Sequence, residues 1–235
     1  MKKKIFWCKN CLSMSTRPRI TFDQRGYCSA CLWSEEKKKL NWKARKNNLS
    51  DLLNKHRSSK KQFDCITTVS GGKDGSYVSY NLRHKYKMNP LCITIRPITE
   101  TKLGIENLNR FVSKGYNHIL VSPDSEAMRI LCKIGLLEMG FPYYGWLIAI
   151  HTAVFRIAVQ FNIPLVFYSE DGEVEYGGDA KNKNNGIYNI DYIKKSYLEG
   201  GYEKILKKSK LTEKQLYWFK FPTNSEIKKL KLEIT

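Results

Sequence analysis

From Phe63 onward, short apolar runs alternate with longer amphipathic segments. FDCITTVS, LCITIRP, HILVS and LVFYSE are brief and rich in β-branched or aromatic residues, which predicts four strands, the first two of them buried. Residues 74–85, 101–114 and 125–139 carry helical spacing, and Leu103, Ile105, Leu108 and Phe111 mark the predicted inner face of the second helix. Asn89 and Pro90 punctuate the first return to strand. The most apolar long stretch, residues 143–161, is interrupted by His151, Arg156 and Gln160, and predicts a buried helix rather than a membrane span. His151 itself reads as a satisfied core histidine. This βαβα order predicts an α/β fold, a parallel sheet covered by helices on both faces.

The flanks have a different texture. Residues 34–61 are lysine-rich, with Trp33, Leu40, Trp42, Leu49, Leu52 and Leu53 at roughly helical spacing, and predict one or two amphipathic connecting helices. Beyond Gly178 the chain turns polar (KNKNNG) and then suggests short helices, one of them starting at Thr212 in LTEKQLYWF.

With 235 residues, 42% of them hydrophobic, the chain can bury a real core. The opening MKKKIFWCKN is basic but has no apolar stretch behind it, so a cytoplasmic protein without membrane association is expected. Of the net charge of +19, residues 1–61 hold 17 Lys or Arg against 4 Asp or Glu, a net of +13. That excess suits nucleic acid or anionic small substrates, and equally a lysine-rich chain with solvated basic faces.

Four of the seven cysteines are grouped as Cys8-Lys-Asn-Cys11 and Cys28-Ser-Ala-Cys31. Two such pairs match a four-thiolate zinc site, and RITFDQRGYC between them reads as strand, turn and strand, a zinc ribbon. Four thiolates leave no open position, so the metal would be structural; an iron–sulfur cluster is the competing metal. Disulfides have no secretory context to support them. Cys65, Cys92 and Cys132 stand apart and read as core thiols.

TVSGGKDGSYVSY follows the first predicted strand and opens its helix. It lacks the spacing of a Walker A loop. Gly71, Gly72 and Gly75 allow backbone N–H groups to approach an oxyanion, Ser70 and Ser76 add hydroxyls, and Lys73 can pair with phosphate. Asp74 would repel phosphate unless Mg2+ lies between them.

SGGKDGS resembles the SGGxDS signature of the PP-loop ATP pyrophosphatases, which cleave ATP between the α and β phosphates. The combination of an amino-terminal CxxC, PRITFDQRGYCSAC and SGGKDGSY is similar to the N-acetyl sugar amidotransferases of bacterial surface-polysaccharide and flagellar-glycan synthesis. YSEDGEVEYGG and LYWFKFPT look like that group as well. The resemblance divides the chain into a zinc ribbon (1–33), a basic helical connector (34–61), a PP-loop domain (62–180) and a helical carboxyl-terminal region (181–235). Its members usually continue past the position of Thr235, so a shortened member is expected.

The resemblance further implies ATP, Mg2+ and structural Zn2+, and a nucleotide-activated N-acetyl sugar whose acetamido oxygen is adenylated and then replaced by ammonia. The ammonia would come from a separate glutaminase acting through a cyclase-like barrel subunit. Lys73 and Asp74 would act on the polyphosphate, and Thr94, Ile95 and Arg96 would meet adenine at the end of the second strand. Among Glu170, Asp171, Glu173 and Glu175, one or two would serve catalysis, Glu173 foremost. Tyr143, Tyr144 and Gly145 could line a sugar pocket or pack in the core. The alternative is a zinc-containing PP-loop tRNA-modifying enzyme of thiolase type, the one reading that brings in nucleic acid.

Overall fold

The computed structural model describes residues 4–58, 62–169, 172–180, 183, 186–187 and 189–235. Their contacts gather into two units, the described residues of Met1–Leu52 with Glu170–Gly186, and those of Leu53–Ser169 with Ile187–Thr235.

In the first unit a tight hairpin turns at Gly26 (φ 79°), with Asp23 Oδ1 accepting from Tyr27 N at 2.9 Å. Its arms meet at a single antiparallel bridge, Phe22 to Cys28, and a second lone bridge joins Trp7 to Met14. Neither arm is a strand, so both expected strands of the ribbon are corrected. Cys28 caps helix α1 (Ser29–Lys37), because SACLWSEEK holds good helix formers and one buried indole, Trp33. Helix α2 (Trp42–His56) follows, its residues up to Leu52 counted in this unit, and α7 (Gly172–Glu175) joins the unit from later in the chain. Trp42 is exposed.

The second unit is the α/β part. Strands β1 (Cys65–Thr68), β2 (Pro90–Ile95), β3 (Asn117–Val121), β4 (Leu165–Phe167) and β5 (Glu233–Ile234) form one sheet in the order β3-β2-β1-β4-β5, every pair parallel. Buried Ile66, Leu91, Ile93 and Val166 explain why the central strands read as continuous apolar runs. Helices α3 (Lys73–Tyr80, continued by a π turn over Asn81–Lys85), α4 (Lys102–Ser113), α5 (Ser125–Met139) and α6 (Tyr144–Gln160) connect them. Among the described residues no helix is long and apolar enough to cross a membrane.

Three expectations are corrected here. On α4, Phe111 is buried, but Leu103 and Ile105 are exposed, so the apolar stripe is narrower than its spacing suggested. The stretch after Thr212 makes only the short 3-10 turn Tyr217–Phe219; Thr212 Oγ1 accepts from Gln215 N at 3.3 Å without a helix growing from it. After α8 (Ile190–Tyr192), α9 (Tyr202–Ser209) and α10 (Asn224–Leu230), the chain returns to the sheet as β5, which the apolar pattern did not reveal. Thr235 N donates to Val166 O at 2.8 Å, and Lys55 and His56 both pair with Glu233.

His151 also departs from expectation. It lies between the rings of Tyr168 and Tyr197, 5.4 and 5.6 Å away, and its Nδ1 is buried with no hydrogen-bond partner among the described residues. Burial brings the imidazole down to about 4. The unfolded chain, titrating near 6.5, then binds the extra proton between those values, so stability present above pH 6.5 falls as the pH drops toward 4. Urea unfolding at pH 7.5 and pH 5 should differ by about 2 kcal/mol from this group. His151→Phe should remove that part of the difference; an unchanged pH slope in the variant would contradict the assignment.

Candidate functional site

β1 is flanked by β2 on one side and β4 on the other, so the direction of the winding reverses beside it. In open parallel sheets the crevice beyond the carboxyl ends at such a reversal receives ligands. Ser70–Gly72 leaves β1 at that place and enters α3 at Lys73. Ser169, just after β4, donates its hydroxyl to Thr68 O at 3.3 Å and ties the two strand ends together.

Two glycines are required by the geometry. Gly71 has φ 81°, and a Cβ there would lie 2.8 Å from Leu108 N and 2.9 Å from Gly104 O on α4. At Gly75 a Cβ would lie 2.6 Å from Thr68 O. The loop therefore runs between the backbones of α4 and β1. Below it, Thr67 Oγ1 and Ser79 Oγ share a buried hydrogen bond of 2.9 Å, joining β1 to α3, and Thr67 also reaches Cys92 Sγ at 3.3 Å.

The polar groups of the loop are close together. Gly72 is the N-cap of α3, whose N-terminus adds partial positive charge. Ser70 is exposed, and Ser76 Oγ donates to Gly72 O at 2.8 Å. Lys73 Nζ donates to both carboxylate oxygens of Asp74, at 2.6 and 2.8 Å, and both side chains face solvent. The loop thus presents a cation, a carboxylate fit to share a divalent ion with phosphate, hydroxyls and a helix terminus on one rim.

At the end of β2, Thr94 Oγ1 donates to Val69 O at 2.7 Å. Its single proton is then used, so His118 Nε2, 2.8 Å away, is the donor in the second bond. Ile95 O accepts from Trp146 Nε1 at 3.2 Å, and Arg96 N donates to Val121 O at 2.8 Å. These three residues brace the base of the loop and the strand ends. Sequence reasoning passed over His118, Ser79, Trp146 and Ser169, since a polar residue within a strand or helix pattern carries no signal of the backbone it will meet.

In the first unit, Cys8, Cys11, Cys28 and Cys31 bring their sulfurs within 4.8 Å of one another. The Cys8–Cys31, Cys28–Cys31 and Cys11–Cys28 separations are 3.8, 3.8 and 3.4 Å. A tetrahedron with Zn–S of about 2.3 Å has edges of about 3.8 Å, so the cluster can hold zinc. Burial disfavours the Cys8 thiolate, but the N–H groups of Cys11, Asn10 and Cys28 outweigh it and bring the thiol down to about 6. Burial pushes Cys31 up to about 12. A divalent ion would supply the charge that lets all four deprotonate.

Glu173 and Glu175 belong to this first unit. Arg19 grips Glu173 with two bonds of 2.8 and 3.0 Å, and Asp179 N adds a third at 2.8 Å. Glu175 accepts from Trp33 Nε1 at 3.0 Å and from Lys37; burial works against its charge, and these donors outweigh it and hold its carboxyl low. Glu170 and Asp171 lie outside the described residues. In the second unit Tyr144 is core, its hydroxyl donating to Leu198 O at 2.5 Å, Gly145 packs on Cys132, and Tyr143 is exposed. Cys65, Cys92 and Cys132 are buried, as expected of core thiols.

No protein-family profile matches the chain. An uncharacterized protein of Methanocaldococcus jannaschii is 30% identical over 101 residues, 43% of this chain, and the matched part spans only 36% of that relative's length. An NH3-dependent NAD synthetase from Campylobacter jejuni, solved with nitrate, superposes with a TM-score of 0.42 at 14% identity, over 82% of this chain and 93% of its own. A predicted subunit of tRNA methyltransferase from Methanocaldococcus jannaschii gives 0.35 at 16%, over 71% and 73%. Likenesses this distant transfer no activity.

Gly71→Ala should destabilise the second unit by about 1–2 kcal/mol for the left-handed backbone alone, with the α4 contacts adding to it, as read by urea unfolding. Elemental analysis of the purified chain should find a single zinc ion, and Cys28→Ser should lose it and speed proteolysis within residues 4–52. A metal-free wild type with four freely titrating thiols in that cluster would refute the site.

Proposed function

We propose that the chain is an ATP-consuming enzyme of the PP-loop type, which activates a carbonyl oxygen by adenylation. The observation that carries this reading is the SGGKDGS loop, set at the reversal of a parallel sheet with Gly71 in a left-handed conformation against α4. In the reaction an amide oxygen attacks the α-phosphorus, the bond from that phosphorus to the bridging oxygen of pyrophosphate breaks, and pyrophosphate leaves. Lys73 and the N-terminus of α3 would stabilise the charge gathering on pyrophosphate. Asp74 would hold Mg2+, which supplies further charge neutralisation when bound.

The finer reading is an amidotransferase acting on a nucleotide-activated N-acetyl sugar. Ammonia attacks the adenylated imidate carbon, AMP leaves with the former amide oxygen, and loss of a proton gives the acetamidino group. It is supported by the joint resemblance of PRITFDQRGYCSAC and SGGKDGSY to that family. A separate glutaminase with a cyclase-like barrel would deliver the ammonia, in a cytoplasmic setting. A second reading, modification of a tRNA base by the same activation, is favoured by the 17 Lys or Arg against 4 Asp or Glu in residues 1–61.

The test is mass analysis of products from the purified chain with MgATP, ammonium ion and a panel of nucleotide-activated diacetamido sugars. Replacement of an amide oxygen by NH, with release of AMP and pyrophosphate, is the expected result. AMP formed only when tRNA is added would select the second reading, and no AMP with either substrate class, even with glutaminase partner supplied, would defeat both. Asp74→Asn should lower AMP formation by about 100-fold while the thermal midpoint stays put, because its side chain is exposed.

A further inference from the structure

The second unit contains a recess unconnected with the loop. About 630 Å3 in volume, it lies between α9 and residues 211–224. Four lysines line it: Lys194, Lys207, Lys210 and Lys220. Among the described residues the carboxylates lining it are Glu203 and Glu213, whose side chains are 66% and 84% exposed against 30% for Lys194 and 32% for Lys220. Lys194 and Lys220 are the shielded cations, and Lys207 and Lys210 stand exposed at its border.

Two of the lysines are held in place. Lys194 Nζ lies 4.9 Å from the Tyr202 ring centre and 5.7 Å from that of Phe221, and donates to Glu203 at 2.7 Å. Tyr202 is fixed in turn, since its hydroxyl accepts from Phe221 N at 3.2 Å. Lys220 donates to Glu213 at 2.5 Å. Among the described residues, Lys207 and Lys210 have no carboxylate within ion-pair distance, although both border the same recess. Leu206, Leu211 and Leu216 supply apolar wall between the charges.

We propose that this recess binds a small diphosphate ester, its phosphates on the lysines and its organic part against the leucines and Phe221. Four ammoniums against two carboxylates leave an excess of positive charge that a multiply charged anion would neutralise. Lysine, a compact point charge, suits phosphate oxygens without demanding the planar pairing of arginine. A concave site with apolar walls fits a compact molecule; a nucleic acid backbone would instead follow an extended basic stripe.

The proposal stands apart from the loop, and its test silences the loop. Uridine diphosphate is titrated calorimetrically into Lys73→Gln, and into Lys73→Gln carrying Lys207→Gln and Lys210→Gln. The first variant should bind, and the added pair should weaken binding roughly tenfold as two ammonium–phosphate contacts are lost. Uridine should not bind, and inorganic phosphate should bind less tightly than the diphosphate. Both added sites are exposed, so circular dichroism and thermal midpoint should match between the variants. Undiminished binding in the triple variant, no binding to Lys73→Gln, or binding only of a short single-stranded RNA would overturn the proposal.

Discussion

Helix α3 lies where it does because residue 75 carries no side chain. The place a Cβ would occupy is 2.6 Å from Thr68 O, so any other residue would push the helix away from β1. The loop depends on that approach at one end and on Gly71 against α4 at the other. Between them the Thr67–Ser79 bond fixes the rotation of α3 on the strand. The loop is held by main chain against main chain, which has no rotamers to lose.

The same loop carries its own ion pair. Lys73 and Asp74 are adjacent, exposed and paired, an arrangement that contributes little to stability in water. Under the proposed function, a polyphosphate with its cation would separate them at small cost, each side chain exchanging a weak partner for a stronger one. Rigid backbone and replaceable side-chain pairing are complementary features of one short stretch.

Legibility followed burial. The central strands were readable because both of their faces are apolar, and the loop's place between the first strand and its helix because an apolar run there ends in glycines. The four cysteines announced themselves by spacing. Other features depended on partners far away in sequence. Arg19 and Glu173 are 154 residues apart, and nothing near either one foretells their bond. Leu103 and Ile105 have helical spacing but face solvent, because only the side of α4 carrying Leu108, Phe111 and Val112 packs on Val69 and Cys92. The strand after Gly26 gave way to α1 because helix propensity and the cap at Cys28 take over within one residue.

The parallel seat of β5 has a consequence for the order in which the sheet is assembled. Residues 233–235 pair with residues 165–168, so that flank of β4 carries unsatisfied amides and carbonyls until a segment more than sixty residues later has left the ribosome. During that interval Leu165, Val166 and Phe167 form an apolar edge open to any extended chain nearby. The helices α8, α9 and α10 are made in the meantime, and the closing strand arrives with Glu233, which Lys55 and His56 receive from the far end of the sequence. Early and late parts of the nascent chain thus meet at the last edge to be covered.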